Sequence, residues 1–95
     1  MCGLVGAYRP RGEAVAANEV IAAMRDRMAH RGPDGADQWR EGRGRCALGH
    51  RRLSIIDLSQ AANQPMLNPA GDVALELNGD IHNHADIRKE LQPLG

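Results

Sequence analysis

Met1-Cys2-Gly3-Leu4-Val5-Gly6-Ala7-Tyr8 opens the chain, and residue 2 decides how the rest is read. Once Met1 is removed, Cys2 carries a thiol and a free α-amine on the same residue. The thiolate is a nucleophile, and an α-amine with an ordinary pKa of about 7.7–8.0 accepts a proton near neutral pH. An N-terminal amine can therefore serve as the base that activates its own side chain. Residues 4–8 read as a short strand ended by the Pro10 to Gly12 turn, which puts the nucleophile at a strand's start. A small residue also follows Met1 by chance in many chains, so the segments downstream carry the decision.

Ninety-five residues allow one small domain. Apolar residues make up 42% of it, but fourteen are alanine, phenylalanine is absent, and Tyr8 and Trp39 are the only aromatics. Burial at about 25 cal/mol per Å² must offset roughly 1–2 kcal/mol of ordering entropy per residue, so such a core leaves little margin. The expectation is a piece of a larger domain. No apolar run approaches the ~18 residues of a membrane span and no charged segment leads into an apolar one, so no membrane association is expected and a cytoplasmic protein is the default. Net charge is zero, yet residues 1–52 hold ten arginines against six acids and residues 53–95 two bases against six acids. Bases and acids interleave and few aromatics could stack on bases, which argues against nucleic-acid binding. Two cysteines with no CxxC spacing make neither a disulfide scaffold nor a metal site; Cys46 reads as a small buried hydrophobe.

Further along, Asn18 reads as the N-cap of a helix whose apolar face is Val20, Ile21, Met24 and Met28. His30-Arg31-Gly32-Pro33 ends it, with Gly32 as a left-handed cap and Asp34-Gly35 continuing the turn. Residues 38–40 and 46–50 resemble a hairpin around Glu41 to Gly44. Val73, Leu75 and Leu77 alternate with Ala74 and Glu76 as in a half-buried strand. A last helix starts near Asn83, pairs Ile87 with Leu91, and stops before Pro93.

Four segments, read jointly, carry more than any one of them: Met1-Cys2-Gly3-Leu4-Val5-Gly6; His30-Arg31-Gly32-Pro33-Asp34; Leu48 through Ser59 with Gln64-Pro65-Met66; and Asn78-Gly79-Asp80-Ile81-His82-Asn83-His84. In this order and spacing they resemble the start of class II glutamine amidotransferase domains, those of glutamine-hydrolysing asparagine synthetases above all. The first segment is shared by all class II amidotransferases, and the second and third point to the asparagine synthetase branch. The resemblance covers nearly the whole chain, so residues 1–95 read as the truncated N-terminal portion of such a domain.

The resemblance implies an α+β fold of the N-terminal nucleophile hydrolase type, an αββα sandwich that is incomplete in this chain, with Cys2 at the end of a central strand. It implies hydrolysis of glutamine to glutamate and ammonia, with Cys2 as nucleophile. Asn78, through its side-chain amide, and Gly79, through its backbone N–H, match the oxyanion hole; a plain Asn-Gly turn is the alternative. Arg52 matches the binder of glutamine's α-carboxylate, for which a planar guanidinium fork suits a planar anion. Leu53, Ser54, Ile55 and Ile56 match the segment that lines the glutamine pocket, and Asp80 stands where substrate amine recognition is expected. Arg51 carries no motif identity and reads as a solvated charge, while the His30 to Asp34 segment matches a family loop near the active site and reads as a helix-ending turn with no chemistry assigned to it. Asp57 and Gln64 read as loop organisers.

Asparagine synthetases usually have Glu where Asp80 stands and Tyr where His82 stands. No metal is expected; His82 and His84 fit no recognised zinc spacing. No cofactor is expected in this chain, while ATP and Mg are expected for a synthetase domain C-terminal to it, a partner alongside glutamine itself. The segment alone is expected to fold poorly and turn over slowly or not at all. Two other readings are an amidotransferase serving another acceptor, such as a surface polysaccharide precursor, and a remnant without catalysis.

Overall fold

Residues 2–53 and 63–95 are described in a computed structural model of the chain. Gly3–Tyr8 forms strand β1, Gly35–Arg40 β2 and Cys46–Arg52 β3. They make one antiparallel sheet in the order β1-β3-β2. The expected hairpin is therefore present, with both strands longer than the local sequence signal. Its turn is organised by Glu41, whose carboxylate accepts the backbone N–H groups of Arg43 at 2.7 Å and Arg45 at 3.0 Å. Those bonds, Arg45's foremost, hold the Glu41 carboxyl below the ordinary carboxylate range.

Side chains alternate across a strand, so the register sorts the sheet into two faces. Gly3, Val5 and Ala7 share one face with Ala47, Gly49 and Arg51, and Leu4, Gly6 and Tyr8 share the other with Cys46, Leu48, His50 and Arg52. Helix α1, Asn18–Asp26, packs across all three strands on the first face. The core there is Val5, Val15, Ile21 and Ala47, with Ala7 and Met28 against it.

Several expectations about α1 need correction. Ala17, not Asn18, is the N-cap, and no side chain caps it. Asn18 instead accepts a hydrogen bond at 3.3 Å from Arg40, whose guanidinium also donates to the carbonyls of Val15 and Ala16 at 2.9 and 2.7 Å. A cation from β2 thus ties down the chain entering the helix. Of the proposed apolar face only Ile21 is buried, and Val20 and Met24 are exposed. The inward stripe runs Ile21 to Arg25, both against Gly49, and on to Met28 in the turn beyond the helix end. Arg25 holds an inward position by laying its stem on the sheet while its head reaches Asp26 and Gln38.

Gly32 is not a left-handed cap: it is absent from the positive-φ glycines. It is buried, and an added Cβ would lie 2.3 Å from the carbonyl carbon of Arg51. Glycine serves here by close approach, letting the turn after α1 lie directly on the backbone of β3.

Met66–Leu67 (β4) and Ala74–Leu75 (β5) form a separate antiparallel pair. Asn68 shapes its turn by accepting the N–H groups of Asp72 and Val73, both at 3.0 Å. The expected strand over 73–77 is reduced to two residues and turned over. Val73, Leu75 and Leu77 are exposed, and Ala74 and Glu76 are half-buried. Glu76 lies over β1, its Oε1 3.8 Å from where a Gly6 Cβ would stand. Alternation announces two faces without saying which is covered, and β5 has only the two residues of β4 to pair with among the described residues.

Helix α2, His84–Leu91, has Asn83 as its N-cap residue and stops before Pro93, as expected; Pro93 lies in a following 3-10 turn, Gln92–Leu94. No residue of α2 is buried. The expected pair Ile87 and Leu91 lines, with Ile81, an open groove of about 340 Å³. The chain is thus a mixed α/β structure with antiparallel sheets.

Candidate active site

Cys2 immediately precedes β1 and is half-buried. Strands β1 and β3 pair from Tyr8 opposite Cys46 to Gly3 opposite Arg51, so one further step sets Cys2 opposite Arg52 on the sheet face away from α1. Leu53, the residue after β3, donates its N–H to the Cys2 sulfur at 3.4 Å, with its carbonyl 4.0 Å from that sulfur. The thiol therefore rests on the peptide of Leu53.

Arg52 is 7% exposed. Its Nη1 donates to Asn63 Oδ1 at 3.1 Å, and that amide also stands over Gly35, the β2 residue paired with Arg52. Asn63 thereby holds one arm of the guanidinium fork in place on the Cys2 face. Next along that face, opposite Leu4, is His50, 1% exposed, with neither ring nitrogen hydrogen-bonded among the described residues. Burial, and secondarily the positive charge of Arg52, push its pKa down, although the nearby backbone of Leu77 acts the other way. Glu76 covers the same face with Oε2 buried and without a hydrogen-bond partner among the described residues, and burial raises its carboxyl to about 7.

The first face also reaches the nucleophile. Arg31 donates from Nε to the carbonyl oxygen of Cys2 at 3.2 Å. The turn carrying Arg31, read as a helix-ending turn near the site, therefore lies against Cys2. Arg51 is no solvated charge: Nε donates to the Gly32 carbonyl at 2.8 Å and Nη1 lies 3.3 Å from Asp26.

The structure brings Cys2, Arg52 and Leu53 together. Ser54, Ile55, Ile56 and Asp57 lie outside the described residues. Asn78, Gly79 and Asp80 are exposed, and no hydrogen bond joins them to Cys2, Arg52 or Leu53 among the described residues. They follow Leu77, whose N–H is accepted by the Gln64 side chain at 2.5 Å, so Gln64 does organise this loop. Cys46, read as buried, is half-buried on the strand pair edge opposite Tyr8. His82 and His84 are exposed, and no group of three or more His, Cys, Asp or Glu converges on a metal position among the described residues. Sequence reasoning missed Arg31, Arg51 and Asn63. The signal available for Arg31 was its place in the His30 to Asp34 segment; nothing local marks the other two.

Comparison with known proteins bears on this geometry. The family described as glutamine amidotransferase domain matches residues 1–95. A glutamine-hydrolyzing asparagine synthetase of Sandersonia aurantiaca is 34% identical over 93 residues, 96% of this chain and 17% of that protein. One from Bacillus subtilis is 33% identical over 97 aligned residues, 100% of this chain and 15% of that protein. A protein named amidase chry2 from Gibberella zeae is 36% identical over 80 residues, 84% of this chain and 12% of that protein. The chain thus spans less than a fifth of the length of these relatives. No solved structure matches it significantly. With the match running over residues 1–95, this chain belongs to the glutamine amidotransferase domain family.

Proposed function

We propose that this chain is the nucleophile-bearing part of a domain that hydrolyses glutamine to glutamate and ammonia, with the ammonia passed to a synthetase domain that makes asparagine. The observation that carries the reading is the placement of Cys2 sulfur on the Leu53 peptide with buried Arg52 opposite it. The fold of the completed domain is of the N-terminal nucleophile hydrolase type, and the compartment is the cytoplasm. No described helix is long and apolar enough to cross a membrane.

Removal of Met1 frees the Cys2 amine. That amine takes the thiol proton, and the thiolate attacks the side-chain amide carbon of glutamine. Negative charge then builds on the former carbonyl oxygen, and donors fixed in advance lower its energy; losing one typically costs about 2.7–4 kcal/mol. Asn78 and Gly79 supply these donors when the loop after β5 closes on the Cys2 face. The Cys2 ammonium delivers its proton to the departing nitrogen, which leaves as ammonia and a γ-glutamyl thioester remains. Water, deprotonated by the same amine, attacks the thioester and releases glutamate and the thiol. Arg52 holds the α-carboxylate of the substrate throughout, and Asp80 faces its α-amine.

The reading assigns no role to ATP or Mg in this chain. They belong to the synthetase domain, and no step above uses them. The segment by itself turns over slowly, a reading supported by its small core and by the exposure of Asn78 and Gly79. A second reading, with an acceptor other than aspartate, is favoured by the protein named amidase chry2 among the relatives.

The test is mass spectrometry on the full-length product after exposure to a diazoketone analogue of glutamine. Loss of Met1 and one adduct on Cys2, with Cys46 unmodified, support the reading. Retained Met1, or an adduct on Cys46 alone, rules it out.

A further inference from the structure

We infer that Arg51 is a positioning residue for Cys2, acting through the turn that follows α1; the inference rests on the glutamine-hydrolysis reading above. Arg51 and Arg52 are neighbours on β3 and point to opposite faces of the sheet. Arg52 lies on the face with the thiol, and Arg51 runs under the end of α1.

There Arg51 makes two bonds to elements distant in sequence. Nε donates to the Gly32 carbonyl at 2.8 Å, and Nη1 reaches Asp26 Oδ1 at 3.3 Å. Asp26 is the last residue of α1 and is gripped from the other side by Arg25, at 2.9 Å through Nε and 3.3 Å through Nη2. Arg51 therefore spans the helix end and the turn after it. That turn is closed on itself, since the N–H groups of Arg31 and Gly32 both reach the Met28 carbonyl, at 2.9 and 3.3 Å. It is also seated on β3, with Gly32 against the Arg51 backbone and the Asp34 N–H donating to the Arg52 carbonyl at 2.9 Å.

From this turn Arg31 extends to the Cys2 carbonyl at 3.2 Å. Once Met1 is gone, Cys2 has no chain before it, and its peptide carbonyl is the backbone handle left to set the direction of amine and thiol. A turn that shifts by a fraction of an ångström moves that handle, and misplacement on the order of 1 Å costs about a hundredfold in rate. Arg51 is the residue that ties the turn to the strand carrying the substrate clamp. Because Arg52 faces the other way, loss of Arg51 affects the nucleophile's aim and spares glutamine's carboxylate contact.

The experiment uses the full-length product, comparing the unsubstituted protein with Arg51→Met, Arg51→Lys and Asp26→Asn. Arg51→Met is expected to lower kcat for glutamine hydrolysis about tenfold or more with KM for glutamine changed less than about threefold. Arg51→Lys, which keeps a donor for the Gly32 carbonyl, is expected to recover part of that kcat. If Arg51→Met does not fold, the kcat loss in Asp26→Asn and Arg51→Lys relative to the unsubstituted protein decides the matter. Unchanged kcat in the soluble variants overturns the role, and so does a loss that appears entirely in KM. Failure of the unsubstituted protein to take a glutamine-analogue adduct on Cys2 overturns both this role and the reading it rests on, whereas a normal adduct with unaffected variants overturns the role of Arg51 alone.

Discussion

The backbone N–H of Leu53 is directed at the sulfur of Cys2 across 3.4 Å, joining the residue before β1 to the residue after β3. The central strand thereby delivers both a donor for the nucleophile and, one residue earlier, the cation opposite it. Because Cys46 lies six residues back along β3, opposite Tyr8, the two thiols are chemically separable. Replacement of Cys2 by alanine is expected to lower glutamine hydrolysis by at least about a thousandfold, since it removes the attacking group itself. Cys46→Ala should leave the rate within about threefold, being half-buried and away from the Leu53 peptide. Steady-state ammonia release by the two variants checks this, and comparable losses would contradict the assignment.

Arg52 and Asn63 form the second pair to test. A guanidinium keeps a planar fork that an ammonium cannot reproduce, and here one nitrogen is committed to Asn63. Arg52→Lys is expected to raise KM for glutamine by about ten- to a hundredfold, the loss of a charge-assisted pair at roughly 1.5–3 kcal/mol. Asn63→Ala should give a smaller rise in the same parameter, because the cation remains but one arm is no longer held. A rise in KM for Asn63→Ala with kcat unchanged identifies it as a residue that orients the clamp; a collapse of kcat alone would place it elsewhere in the reaction.

Much of the sheet was legible. Strand β1 and the β2–β3 hairpin carry short apolar runs with Gly-rich punctuation, and the structure extends them by only a few residues. Legibility failed where a contact joins residues far apart in sequence. Arg31 meets the carbonyl of Cys2 and Arg51 meets that of Gly32, and a carbonyl 29 or 19 residues away leaves no local mark. The face of α1 was misjudged because Arg25 takes an inward position that hydropathy assigns to solvent. The strand over 73–77 was turned over for a related reason: a period of two is the same whichever face is covered, and Glu76 was assumed to point outward. Cys2, Arg52 and Leu53 are brought together by register, whereas Asn78 and Gly79 sit in an exposed loop that pairs with no strand of that sheet among the described residues.

Gly32 offers a test of packing independent of catalysis. An added methyl would stand 2.3 Å from the Arg51 carbonyl carbon and 2.5 Å from its oxygen, so the turn must lift off β3. Gly32→Ala is expected to destabilise the protein by about 1–3 kcal/mol, the usual cost of overpacking. Gly42→Ala, at a position with nothing within 4 Å of the new methyl, should shift stability by no more than about 0.5 kcal/mol. Urea midpoints measured side by side distinguish the two, and equal midpoints would mean the turn is not seated as described.

Glu76 and His50 set opposing pH dependences. The Glu76 carboxyl titrates at about 7 when folded and near 4.5 when unfolded. The folded state keeps a proton that the unfolded state has lost, so the contribution of Glu76 is complete below about pH 4.5 and declines as pH rises to about 7. His50 is shifted down from 6.5, so its contribution is present above pH 6.5 and is lost as pH falls toward the folded pKa. Glu76→Gln should therefore stabilise the protein at pH 8, by on the order of 1–3 kcal/mol for relief of an unpaired buried charge, and do little at pH 4.5. His50→Leu should do the reverse: it removes two unpaired ring nitrogens and with them the acid-side loss, leaving a stability that only falls from pH 5 to pH 8. Urea midpoints of both variants across that range test the pair. A Glu76→Gln midpoint that tracks the parent protein at every pH would mean that this carboxylate meets solvent or a cation when ionised, and that the segment after β5 does not lie over Gly6.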